Sequence, residues 1–144
     1  IFGVLGTKKV IQIGSCGGLQ PNIQTGDIVI PTTSFIGEGA SQYYGQLVSS
    51  TATQGLVESA DRALINFGLR TFIGAHISTS ALLQQSDEMV EKWQQRCLLG
   101  VDMETSAVYS AAEYFKMQRV SMLFVWDELL KIERGLMNFL LLKR

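Results

Sequence analysis

The chain has 144 residues, 47% hydrophobic and 17% charged, with a formal net charge of −1. A chain of this length buries about two-thirds of its unfolded surface, so the composition fits a packed globular core and excludes disorder. The basic residues are scattered, with no run denser than Lys8-Lys9, and no apolar stretch nears the roughly 20 residues of a membrane span, which argues against a nucleic-acid surface, an anionic-membrane surface and a spanning helix.

The β-branched run over residues 9–14 (Val10, Ile11, Ile13) predicts a buried strand that stops at Gly14-Ser15-Cys16-Gly17-Gly18. A glycine-rich turn after a strand lets a ligand approach bare backbone amides, and a tight turn with no ligand is the competing reading. Residues 27–36 read as one strand or two short ones, interrupted by Pro31, and residues 37–50, with Tyr43-Tyr44 in the middle, as a long loop. Apolar residues at 56, 57, 60, 63, 64 and 67 predict a helix over 53–66, stopped by Gly68. Residues 71–80 are rich in β-formers. Ser86-Asp87 can cap a helix running to about Arg96. Residues 98–102 read as a short strand, 104–115 as a helix, 120–126 (VSMLFVW) as the most continuous apolar strand, and 128–142 as a closing amphipathic helix. Strands alternating with helices predict an α/β fold: three αβα layers around a central mixed, largely parallel sheet, in one domain over residues 1–144. The opening IFGVLGTKK reads like the end of a helix and a turn, so further chain is expected on its N-terminal side.

Ligands of open α/β sheets bind at the carboxyl ends of the strands. Three expected strands end in polar residues: the first at Ser15, the second through Val101 and Asp102 into Met103-Glu104, the third at Asp127. A hydroxyl beside free amides could hold an oxyanion, Glu104 could grip vicinal hydroxyls, and Asp127 could exchange a proton. The set suits cleavage of a bond between a sugar and a leaving group. Each residue also has a plainer reading: Glu104 as a helix N-terminal carboxylate, Asp127 as the N-cap of the last helix, His76 as a strand residue with a local partner. Cys16 reads as a small buried residue and not a nucleophile. The two cysteines are expected to be reduced thiols of a cytosolic protein, and with His76 as the sole histidine no protein metal centre is expected.

IGSCGGLQPNIQTGDIVIP at 13–31, EGASQYY at 38–44, LLGVDMETSAVYSAA at 98–112 and FVWDEL at 124–129 together resemble the nucleoside phosphorylase superfamily, which includes hexameric purine nucleoside phosphorylases, uridine phosphorylases and related nucleosidases. The resemblance implies an enzyme, a pentosyltransferase: phosphate attacks the anomeric carbon of a nucleoside, a purine one favoured by Asp127, and ribose 1-phosphate and free base leave. By position it implies Ser15 and Gln12 at the phosphate, Met103 and Glu104 at the ribose, and Cys16, Gly17, Leu82 and Val101 around the base, with Asp127 protonating or hydrogen-bonding the leaving ring. It implies no cofactor beyond phosphate as co-substrate, no metal, a cytoplasmic location and a homo-oligomer, either a dimer or a hexamer. Gln12 stands where many members carry arginine, which removes a bidentate partner for phosphate and leaves water open as the nucleophile. Leu82 stands where an aromatic residue often stacks on the base, and Trp126 where a smaller residue is usual. The family's N-terminal segment, which contributes to the phosphate site, has no counterpart here, so a catalytically weak nucleoside-binding homologue is a third reading, and little activity is expected of these 144 residues alone.

Overall fold

The strand that opens at Lys9 does not stop at Gly14. In the computed structural model, which describes residues 3–130, β1 runs Lys9–Gly18 and carries the whole glycine segment inside the sheet. The expected turn is therefore strand, because missing side chains let backbones come close as well as bend. Gly18 lies opposite Gly100, and a Cβ on Gly100 would meet Cys16 Sγ and the Gly17 carbonyl oxygen at 3.1 Å each.

β2 (Ile28–Gly37) is a single strand in which Pro31 is absorbed by a register shift before Thr33. The expected loop contains a 3-10 turn, Ser41–Tyr44, and a short strand, β3 (Ser49–Thr51). α1 (Gln54–Asn66) follows its apolar spacing, and Gly68, at φ +76°, takes the left-handed position after it. β4 spans Thr71–Thr79. α2 (Asp87–Gln95) is capped by Ser86, whose side chain accepts from the Met89 N–H. β5 (Gly100–Asp102), α3 (Thr105–Tyr114) and β6 (Gln118–Glu128) complete the order. β6 runs through Asp127, so that residue is a strand residue and not a helix cap. The remainder of the expected closing helix, beyond residue 130, lies outside the described residues.

The sheet is mixed. β1 pairs with β6, β2 with β4 and β4 with β5 in parallel, while β1–β5, β2–β3 and β2–β6 are antiparallel. The β2–β6 pairing joins the two ends of the order β2-β4-β5-β1-β6, so these five strands curl into a barrel with β3 attached outside. Residues of four barrel strands consequently meet in one cluster: Cys16, Val29, Leu123 and Val125, with Phe72 packed against them. α1 covers Ile30 and Val120 from outside through Val57, and α2 covers Leu19, Ile77 and Val101 through Trp93. From residue 9 to 16, the edge of β1 away from β6 carries no strand among the described residues, and Ile11 and Ile13 on this strand are 57% and 80% exposed.

The barrel also holds a polar cluster. Asp102, 6% exposed, accepts from the Ser78 hydroxyl at 2.6 Å, the Thr105 hydroxyl at 2.5 Å and the Thr105 N–H at 3.0 Å. Gln12 extends the cluster across β1: its carbonyl accepts from Ser121 at 2.7 Å and Thr105 at 3.1 Å, and its amide reaches Asp102 at 3.5 Å. His76 bonds Ser34 through Nδ1 at 3.1 Å, while Nε2 stands 3.5 Å from Asp102 Oδ1. Tyr109 of α3 ties two strands together, its hydroxyl donating to the Pro31 carbonyl at 2.8 Å and accepting from the Ser121 N–H at 2.9 Å.

Two expectations follow. Tyr109→Phe leaves a buried N–H and a buried carbonyl unpaired and should cost about 1–3 kcal/mol in urea denaturation. Burial of His76 holds its imidazole down, at about 4, against the opposing pull of Asp102. The unfolded histidine, near 6.5, binds a proton that the folded one refuses, so stability is full above about pH 6.5 and is lost as pH falls toward 4. Between pH 7 and 5 the wild type should lose about 1–2 kcal/mol more than His76→Gln, read from urea midpoints; equal losses would show that His76 does not carry the effect.

Candidate active site

β5 ends at a corner that its own last residue holds. Because Asp102 accepts from the Thr105 N–H, it closes the first turn of α3, and the two residues between, Met103 and Glu104, are left at the surface of the bend. Met103 is 39% exposed, and the Glu104 carboxylate accepts from the Met103 N–H at 3.3 Å. Glu38 braces the same corner from the loop after β2, accepting from the Ser106 hydroxyl at 2.8 Å and from the Ser41 hydroxyl and amide. Burial pushes the Glu38 carboxyl up, but the Ser41 and Ser106 hydroxyls and the amides of Ala40 and Ser41 outweigh it and hold it below the usual carboxylate range.

The corner faces the carboxyl ends of β1 and β6 across an open cleft of about 340 Å³. β1 supplies Ser15, Cys16 and Gly17, the β5 corner supplies Val101 to Glu104, and β6 with the turn after it supplies Trp126, Asp127 and Leu129; Gln85 completes the lining. A register shift lets β6 contribute so much. Cys16 pairs with Val125 and Gly17 with Asp127, so Trp126 is an extra residue bulged out of the ladder.

Asp102, Glu104 and Asp127 line the cleft, and among the described residues no lysine or arginine does. Burial raises the Asp127 carboxyl above its ordinary value, which favours its protonated form. Burial, followed by the negative charges of Asp102 and Asp127, pushes the Cys16 thiol up to about 12, so it lines the site as a neutral group. The arrangement offers a hydroxyl at Ser15 with no hydrogen-bond partner among the described residues, a carboxylate able to accept from hydroxyls at Glu104, and a partly desolvated acid at Asp127. Among the described residues no three His, Cys, Asp or Glu side chains are grouped to hold a metal ion. No helix among them is long and apolar enough to cross a membrane.

Seven residues singled out from the sequence meet here: Ser15, Cys16, Gly17, Val101, Met103, Glu104 and Asp127. Gln12 does not line the cleft; its carbonyl is turned into the barrel toward Ser121 and Thr105. Leu82 lies in a 3-10 turn over Leu82–Gln84, and its side chain is outside the described residues. Sequence reasoning assigned no role at the site to Gln85, Trp126 or Leu129, or to the Asp102 carboxylate as an anchor. The aromatic next to Asp127 was the one available signal; a bulge has no local sequence signature. A thiol reagent at pH 8 should label exposed Cys97 quickly and Cys16 only after unfolding, as peptide mass spectrometry would show; rapid labelling of Cys16 in the native protein would contradict its burial.

A family model described as the phosphorylase superfamily matches residues 1–140. The chain is 29% identical over 126 residues to a DeoD-type purine nucleoside phosphorylase of Caldanaerobacter subterraneus subsp. tengcongensis, covering 86% of this chain and 54% of that protein. It is 27% identical over 127 residues to the corresponding enzyme of Geobacillus kaustophilus, covering 87% and 53%. The crystal structure of uridine phosphorylase from Vibrio fischeri ES114, complexed with 6-hydroxy-1-naphthoic acid, superposes with a TM-score of 0.81 at 25% identity, covering 96% of this chain and 56% of that one. The chain thus spans about half the length of the curated relatives it matches. A match running through nearly every residue, on a mixed sheet whose strand ends gather the cleft, establishes that this chain belongs to the phosphorylase superfamily.

Proposed function

We propose that the chain cleaves the N-glycosidic bond of a nucleoside, a purine nucleoside by preference, with inorganic phosphate as nucleophile, releasing ribose 1-phosphate and free base. One observation carries this reading: Ser15, Met103-Glu104 and Asp127, from three different strand ends, meet in one cleft. Glu104 accepts hydrogen bonds from the ribose hydroxyls, and Met103 packs on the sugar. Ser15 donates to phosphate on the opposite side. As the bond lengthens, positive charge develops on the ribose and negative charge on the base. Asp127, whose carboxyl burial raises above its ordinary value, meets the charge on the base with a proton or a hydrogen bond to a ring nitrogen. An acid in that position favours a purine, whose imidazole nitrogen is available to it. No cofactor beyond phosphate is needed. The chain acts as one catalytic domain in a cytoplasmic homo-oligomer.

A second reading has water as the nucleophile. It is favoured by the orientation of Gln12, whose carbonyl bonds Ser121 and Thr105, and by a described lining that holds three carboxylates and no cationic side chain. Phosphate dianions are held best by bidentate charged donors.

Incubation with inosine, adenosine, uridine, methylthioadenosine and AMP, with and without phosphate, separates the readings by released base. Phosphate-dependent release from a purine nucleoside is expected, slow from these 144 residues alone. Equal release without phosphate selects water, and binding by calorimetry with no release reduces the chain to a nucleoside-binding homologue. Asp127→Asn should lower turnover by about 100-fold or more, the scale of acid catalysis, while changing nucleoside affinity little. Glu104→Ala should damage both binding and turnover. Unchanged turnover in Asp127→Asn would remove Asp127 from its role.

A further inference from the structure

Consecutive residues of a regular strand point to opposite faces of the sheet. Trp126 and Asp127 break that rule: the register shift between Cys16 and Gly17 lets both line the same cleft. Trp126 is 71% exposed, although tryptophan is a residue that folding usually hides. It is nevertheless held in place. Its ring lies edge-on to Phe124, with centroids 5.9 Å apart and planes at 72°. An aromatic ring fixed on one side, open on the other and set beside an acid is arranged to receive a planar group.

We propose that Trp126 is the stacking platform for the heterocyclic base of the ligand. This rests on the reading of the cleft as a nucleoside site and adds to it the residue that binds the base by its flat face. The base lies against the open face of the indole, which brings its ring edge toward Asp127. A proton given by Asp127 neutralises the charge that develops on the departing base, while the indole holds the base by its face before and after that transfer. Platform and acid therefore act on the same group, one through its face and the other through its edge. Phosphate has no such face, and a ribose ring offers the indole only a small, hydroxylated one.

The chain has two tryptophans, which makes the test direct. Trp93 is 6% exposed and packed with Leu19 and Leu98 under α2, away from the cleft lining. Adenosine and inosine should quench the intrinsic fluorescence of the 144-residue chain, and ribose 1-phosphate should not. The quenching should persist in Trp93→Phe and vanish in Trp126→Phe. By calorimetry, Trp126→Ala should weaken adenosine binding by about 5-fold to 100-fold, the range of a base stacked on an aromatic side chain, and leave ribose 1-phosphate binding unchanged. In turnover, KM should rise while kcat holds. Circular dichroism of the Trp126 variants should match the wild type, because an exposed ring leaves no cavity when removed. If the wild type binds nucleosides and Trp126→Ala binds them equally well, the platform is overturned and the nucleoside site stands. If the wild type binds no nucleoside, the site reading fails and the platform with it.

Discussion

The barrel and the cleft both depend on one buried carboxylate. Asp102 sits where β5 ends, and taking its charge out of water costs several kcal/mol unless donors replace the lost solvent. Those donors come from Ser78 on β4 and Thr105 at the head of α3, with Gln12 of β1 at the edge of reach. Gln12 in turn binds Ser121 of β6, and Ser78 binds Ser34 of β2. Every strand of the barrel therefore holds a place in one set of hydrogen bonds. The bend carrying Met103 and Glu104 is fixed because Asp102 bonds across it, so the cleft surface inherits its geometry from a hydrogen-bond set that reaches back into the barrel.

That dependence explains what could be read from the residues and what could not. α1 was legible because it buries one stripe of its surface and shows a 3.6-residue rhythm, and α2 because Ser86 can cap its first turn. The convergence of Ser15, Glu104 and Asp127 was legible because strand ends collect ligands in any sheet of this kind. The course of β1 was not: Gly14, Gly17 and Gly18 read as a break, but they stay in the strand, and the close approach of β5 is made at Gly100, where a Cβ would meet Cys16 and Gly17. Curling of the sheet into a barrel rests on two short antiparallel pairings between residues far apart in sequence, Gly17 with Val101 and Val29 with Leu123. Gln12 was readable as a residue beneath Ser15, but the direction of its amide depended on Ser121 and Thr105, both about a hundred positions away. Trp126 could be seen as an unusual neighbour of Asp127, whereas the bulge that puts both in one cleft is a property of strand pairing.

The cleft divides its chemistry by burial. Cys16, at the inner wall, is desolvated and flanked by carboxylates, so a group that could compete as a nucleophile is kept protonated. Asp127 is half-buried, enough to favour its acid form and still open to the cleft. Glu104 is exposed at the bend and can be solvated until a hydroxyl displaces water. Cys16 and Asp127, both near strand ends, are thus both shifted toward their protonated forms by lost access to solvent.

The uncovered edge of β1 has a consequence of another kind. N–H and C=O groups beside Ile11 and Ile13 that have no strand partner among the described residues form a template on which another extended segment can add by main-chain bonding, with apolar contact as a second attraction. No lysine lies between residues 10 and 16 to interrupt that edge. At high concentration strand addition along this line of backbone competes with the dispersed state, and a chain segment covering the edge would protect solubility and extend the sheet beside Ser15 at the same time.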